Sequence, residues 1–312
     1  MTKPVRFSAA AAFTLGLFAW PPAMPPIAHA AETRTAWLPS GTLIPLPAKQ
    51  ADALRITKTA KLPVSPLDKD WTAVPALRVA VQPQQMTAPS LAKASISALE
   101  VQAVTDGKAV AWRLTWEDPF PDGNVETSRF SDAVALEFPV SKDAAATMGH
   151  PDGGRVQILY WKALWQKDKD VGFQDVQALH PNVYSDLYWF ASGGAPYPMA
   201  TAFKDTRSQA WLIAQSAGNP MAVVGRAQPV EELTAEGWGT LTHQPDSATT
   251  AAGVWAAGRW SVVFTRPLMT GDSLDYQFQS SGQVAFAVWQ GGTGNTGGRK
   301  HWADWSTFEV QK

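Results

Sequence analysis

The sequence predicts an all-β protein, an antiparallel β-sandwich with few short helices and one long loop insertion. Three observations predict it. From Ser97 onward, short alternating runs are separated by Gly, Pro and Asp, the signature of half-buried strands broken by turns. Helical periodicity is scarce along the same stretch. The 312 residues are 45% apolar, enough to bury the core of one large domain or two small ones.

Taken in order, residues 1–30 read as a cleaved export signal. Lys3 and Arg6 give a positive start, Ser8 to Trp20 is apolar, and Ala28-His29-Ala30 has the small-x-small form of a peptidase site. The apolar run is about 13 residues and is followed by Pro21-Pro22, too short for the roughly 20 that span a bilayer. No later segment is long and apolar enough, so the mature chain is expected to carry no transmembrane segment and to reside in a periplasm-like compartment. Residues 31–66 are Pro- and Ala-rich with little periodicity and are expected to form an extended arm. Residues 67–312 then make the sandwich domain.

Within that domain Leu99 to Val104 and Ala109 to Trp116, joined by Asp106-Gly107, read as a hairpin. In its second strand Val110, Trp112, Leu114 and Trp116 share one face, the face that turns to a core. Further strands are expected at Asp132–Phe138, Arg155–Lys162, Arg259–Arg266 and Val284–Gln290, with short helices near Ser141–Met148 and Asp205–Ala217. Between Trp165 and Trp238 the pattern fails, and Gly, Pro and aromatics accumulate. This is the loop insertion, of a length that usually carries function or faces a partner.

Composition excludes several chemistries. With no Cys there are no disulfides, no Cys-ligated zinc, no iron–sulfur cluster and no covalently attached c-type haem. Lys and Arg number 26 against 27 Asp and Glu, so no basic field awaits a nucleic-acid backbone. The five His include no H-E-x-x-H or i, i+4 pair, and there is no G-x-S-x-G elbow. Gly291 to Gly298 is not followed by Lys-Ser/Thr and is no phosphate loop. Glu117 and Asp118 are adjacent on a strand and point to opposite faces, which does not make an acid/base pair. What remains is an excess of indole, 15 Trp beside 13 Phe and 5 Tyr, and two motifs: Thr147-Met148-Gly149-His150 and Gly298-Arg299-Lys300-His301-Trp302. On composition alone the favoured readings are Met148 as core filler and Lys300 as a solvated loop charge.

Four ordered segments carry a family resemblance. They are Ala109–Asp118 (AVAWRLTWED); Asp132–Pro139 (DAVALEFP) with Met148-Gly149 and Val156–Ala163 (VQILYWKA); Gly237–Thr242 with Gly258–Leu268 (GRWSVVFTRPL); and Ala285–Gly291 (AFAVWQG) through Arg299-Lys300 to Trp305. Together they resemble the haem b-binding γ subunits of the type II dimethyl-sulfoxide-reductase-like molybdoenzymes, the group of ethylbenzene and dimethyl-sulfide dehydrogenases and selenate and chlorate reductases.

The resemblance implies a sandwich similar to carbohydrate-binding modules, holding one non-covalent haem b between a methionine and a lysine. The matching positions here are Met148 and Lys300 as iron ligands. A thioether favours ferrous iron, and a lysine ligates only as a neutral amine, a form that burial favours. Trp112, Trp116, Trp161 and Trp289 are then candidate pocket walls, though a core role suits each equally. Arg155, Arg259 and Arg299 are candidate partners for the propionates. His150 and His301, close to the two ligand positions, are the alternatives to them. The implied protein is not itself a catalyst. It is a periplasmic electron-transfer subunit joining an iron–sulfur β subunit, beside a molybdenum-containing α subunit, to a soluble carrier such as a c-type cytochrome. The competing expectations are a secreted carbohydrate-binding module that stacks exposed Trp on sugars, and a haem-less scaffold subunit.

Overall fold

The computed structural model of the chain describes residues 50–174, 213–219 and 225–311, with single positions or short pieces among 38–47 and 222–223. The export signal expected over residues 1–30 and the middle of the expected insertion, 175–212, lie outside the described residues. Thirteen strands follow one another: β1 (Leu54–Lys58), β2 (Leu77–Ala80), β3 (Gln82–Pro83), β4 (Ala98–Thr105), β5 (Ala109–Glu117), β6 (Ala133–Pro139), β7 (Val156–Lys162), β8 (Val230–Ala235), β9 (Thr242–His243), β10 (Thr250–Ala256), β11 (Arg259–Pro267), β12 (Ser281–Trp289) and β13 (His301–Val310).

They form a single sheet folded on itself into a β-sandwich. One layer runs β10-β11-β5-β4 with β2 beside β4; the other runs β13-β12-β6-β7-β8-β9 with β3 beside β13. The pairs within each layer are antiparallel. β1 forms the seam, hydrogen-bonded to β4 and to β13, and is parallel to both. This seam departs from the all-antiparallel expectation, and it lies inside the stretch read as an extended arm. Leu54 and Ile56 of β1 are buried in the core.

The alternation read in the hairpin sets the core. Val110, Trp112, Leu114 and Trp116 of β5 all point between the layers. Across the gap, the Trp112 ring lies 5.8 Å from Phe138 of β6 and 5.6 Å from Phe308 of β13. Trp161 of β7 meets Trp260 of β11 edge-on at 5.0 Å. Its ring also leaves no room for a Cβ at residue 253, which is why β10 carries Gly253 at that register. Much of the indole excess is therefore core, where each ring buries a large apolar area.

The expected strands hold to within one residue at each end, except that β12 begins at Ser281, three residues before the expected Val284. The helix expectations hold less well. Residues 141–148 form turns, and the described α-helices are α1 (Ala163–Val171) and α2 (Ile213–Ser216), beside short 3-10 turns at Lys69–Ala73 and Gly291–Thr293. Only α2 falls in an expected helix, 205–217, whose first residues lie outside the described set. The stretch 165–238 was expected to be irregular, yet it contains most of α1 and all of β8. Among the described residues no helix is long and apolar enough to cross a membrane.

Candidate functional site

Strand pleating places every second residue of the second layer on its outward face. On β6 these are Ala133, Ala135 and Glu137; they register with Lys162, Tyr160 and Ile158 of β7 and with Trp289, Ala287 and Ala285 of β12. Where alanines meet, side chains leave room. Above Ala135, Ala285 and Ala287 lies a cavity of about 510 Å³, within the range of about 300–1,000 Å³ typical of small-molecule sites. Its walls are loops: 84–89, 146–148, Trp238–Leu241 and Gly297–Lys300.

Met148 and Lys300 both line this cavity. Met148 packs against the outer-face cluster of Ala135, Ile158 and Trp289. Its backbone is left-handed, φ +67°, a region that costs a non-glycine residue of order 1–3 kcal/mol and persists only where its surroundings over-determine it. They do so here on both sides. Its N–H donates to Glu137 Oε1 at 3.2 Å, and its carbonyl accepts from Gly237 N at 2.7 Å. Gly149 continues the left-handed turn at φ +73°, and a Cβ there would lie 2.0 Å from the carbonyl oxygen of Gly154. The turn 148–149 thus requires glycine at its second position.

Lys300 is held from the other side of the site. Its carbonyl accepts from Gln84 N at 2.8 Å. The buried Gln84 side chain donates to the carbonyls of Gly298 at 2.8 Å and Thr87 at 3.0 Å, stapling loop 84–89 to the glycine turn. The Lys300 Nζ lies 5.5 Å from the centre of the Trp289 ring. Burial lowers the amine's pKa below the ordinary lysine value, and the Glu137 carboxylate opposes that shift. Glu137, in turn, is pushed up to about 7 by burial, with Lys300 pulling it down. Lys162 and Tyr160 are further polar residues of the lining; burial lowers the pKa of the first and raises that of the second.

Neither histidine competes for the cavity. His301 is buried, and its Nε2 accepts the N–H of Ser95 at 2.9 Å and of Ile96 at 3.3 Å. Those donors leave Nε2 unprotonated and committed to the backbone. His150 accepts Asp152 N on Nδ1 at 3.2 Å and bonds the Asp143 carbonyl through Nε2 at 3.0 Å.

The remaining candidates separate. Trp289 lines the cavity, whereas Trp112, Trp116 and Trp161 lie in the core between the layers and line no part of it. Strand parity explains the split, because Trp161 sits between outward-facing Tyr160 and Lys162. None of the three arginines expected for a ligand's carboxylates lines the cavity. Arg155 pairs with Glu236 at 2.6 Å, Arg299 donates to the Gly294 carbonyl at 3.1 Å and lies over Phe130, and Arg259 borders a separate polar hollow with Glu117 and Arg78. Glu137 and Gln84 were not singled out by the sequence. The small residues Ala135, Ala285 and Ala287, at alternate strand positions, are the signal that marks the floor. Among the described residues no group of three or more His, Asp or Glu is arranged to hold a metal ion.

A family model described as ethylbenzene dehydrogenase matches residues 68–301. A protein of Haloferax mediterranei named as a candidate respiratory nitrate reductase heme subunit, ORF7, is 25% identical over 251 residues, covering 79% of this chain and 68% of the relative. Among solved structures, a candidate carbohydrate-binding protein from Bacteroides uniformis is similar at 8% identity and a TM-score of 0.38, over 83% of this chain and 99% of that one. A family 9 carbohydrate-binding module from Caldicellulosiruptor kristjanssonii, in complex with cellotriose, is similar at 8% identity and a TM-score of 0.36, over 82% and 93%.

Proposed function

The chain belongs to the ethylbenzene dehydrogenase family, and from that premise we propose that it is a periplasmic electron-transfer subunit that binds one haem b in the cavity above Ala135, Ala285 and Ala287. The observation that carries the reading is that Met148 and Lys300, far apart in sequence, line the same largely apolar cavity.

The donor set fits the group. A thioether is soft and neutral, and a lysine amine desolvated by its surroundings is moved toward the neutral form that can ligate. Met148 and Lys300 would hold the iron, with Trp289 and Tyr160 as walls that exclude water. Bound there, the haem supplies one-electron redox chemistry. The chain's own residues fix the two donors through Glu137, Gly237 and Gln84, and the alanine floor keeps the volume open. In this reading a molybdenum-containing α subunit performs the reaction, an iron–sulfur β subunit adjoins this chain, and a soluble carrier such as a c-type cytochrome completes the path. The named relative, described as a heme subunit of a respiratory nitrate reductase, supports the cofactor and the type of complex.

A sugar-stacking role needs ring faces in solvent; Trp112, Trp116 and Trp161 are enclosed by core, which leaves Trp238, half exposed at the cavity wall, as the ring that could serve it. The test is titration of haem into the ligand-free mature protein, followed by visible absorption. A Soret band saturating at one equivalent, with α and β bands on dithionite reduction, is expected. Binding to polysaccharide without any chromophore would overturn the proposal.

A further inference from the structure

Glu137 is an anomaly in the cavity floor. It occupies an outward position on β6 between Ala285 and Ile158, where an apolar side chain would avoid the cost of burying a carboxylate. It is 8% exposed. We propose that Glu137 is the positioning residue for Met148, its carboxylate fixing the left-handed backbone that presents the thioether to the cavity.

Two observations carry this independently. Met148 is one of three described non-glycine residues with positive φ, and the one that lines the cavity. An outlier of that kind persists only where its surroundings over-determine it. Both of its peptide groups are taken, the N–H by Glu137 Oε1 and the C=O by Gly237 N. Of these two restraints, the backbone one from Gly237 fixes only the following peptide. The Glu137 bond fixes the peptide before it, so the two together define φ and ψ and hence the direction of the side chain. Without Glu137 the Met148 N–H loses its acceptor, the residue relaxes toward an ordinary backbone region, and the sulfur leaves its place. The importance of that place rests on the haem reading above; the restraint itself belongs to the ligand-free protein.

The test uses the full mature chain labelled with ¹³C-methyl methionine, the Met148 signal being identified by its loss in Met148→Leu. Glu137→Gln retains an acceptor oxygen and should leave the Met148 methyl shift unchanged. Glu137→Leu removes the acceptor and Glu137→Asp withdraws it by one methylene; both should displace or average the Met148 signal while Met269 stays put. With haem added, the same two variants should weaken affinity at least ten-fold and lose the sulfur-to-iron charge-transfer band, and Glu137→Gln should keep it. Folded Glu137→Asp with an unshifted Met148 methyl overturns the positioning role, even if Glu137→Leu fails to fold. A displaced methyl in a protein that takes up no haem upholds the restraint and refutes the haem reading.

Discussion

Lys300 and His301 are neighbours in sequence and point to opposite sides of the second layer: the Lys300 amine lies 5.5 Å from the Trp289 ring in the outer cavity, while His301 Nε2 accepts Ser95 N at 2.9 Å beneath the sheet. Imidazole is the commoner iron ligand, yet here parity and two backbone donors withhold it. His301→Ala should therefore leave the haem spectrum unchanged while lowering stability by about 1–3 kcal/mol, because two N–H groups lose their acceptor. His150→Ala should also leave the spectrum unchanged. Absorption and urea melts on both variants check this; loss of the Soret band in folded His301→Ala would contradict it.

The cavity depends on small side chains. Ala287→Phe projects a ring into it from the floor without touching the inner core, so haem affinity should fall at least ten-fold while the melting temperature moves by only a few degrees. Undiminished binding by this variant would place the ligand elsewhere.

Met148 carries backbone strain that glycine does not feel. Met148→Gly is expected to be more stable than Met148→Ala by about 1 kcal/mol in the ligand-free protein, both having lost the packing against Ala135, Ile158 and Trp289, and at the same time to abolish methionine ligation. A chemical-denaturation curve alongside the reduced spectrum separates the two effects.

Away from the cavity, Asp118 and Asp132 make a buried acidic pair. Asp132 accepts Trp260 Nε1 at 2.9 Å, Gly291 N at 2.8 Å and Asp122 N at 2.6 Å. Burial, with neighbouring carboxylates, raises Asp132 well above the usual range and pushes Asp118 up to about 6. The folded state thus binds protons that the unfolded chain releases, and the stability from Asp118 is full below about pH 3.8 and lost as pH rises through about 6. Asp118→Asn mimics the protonated acid. It should remove on the order of 1–3 kcal/mol of the stability difference between pH 5 and pH 7.5, measured by denaturant midpoints. Identical pH slopes in wild type and variant would refute the assignment.

The legible part of the fold was the part with strict alternation. Val110, Trp112, Leu114 and Trp116 gave away β5, and the runs around β6, β7, β11 and β12 followed the same rule. β13 was hidden because its register with β12 shifts between Val284 and Phe286, a bulge that breaks the two-residue period in HWADWSTFEV. β8 was hidden by Glu231 and Glu232, which look solvated in sequence but are buried, the first pairing with Arg226 at 2.8 Å and the second bonded to Thr249. At the site, the placing of Met148 and Lys300 together came from family resemblance. Which tryptophan faces the cavity follows from parity within VQILYWK and AFAVW. Glu137 and Gln84 were illegible, because each is a single polar residue whose role depends on loops, 146–149 for Glu137 and 84–89 with Gly298 for Gln84, that carry no periodic pattern.

In the function proposed above, Met148 and Lys300 together hold a haem b. The most direct measurement is the visible spectrum of the mature protein, oxidised and dithionite-reduced, beside Met148→Ala and Lys300→Ala. A Soret band with reduced α and β bands is expected in the wild type, shifted or lost in each variant, with both variants still folded. A wild-type spectrum reproduced unchanged in folded Lys300→Ala, or a protein that stays colourless after haem reconstitution, would contradict that function.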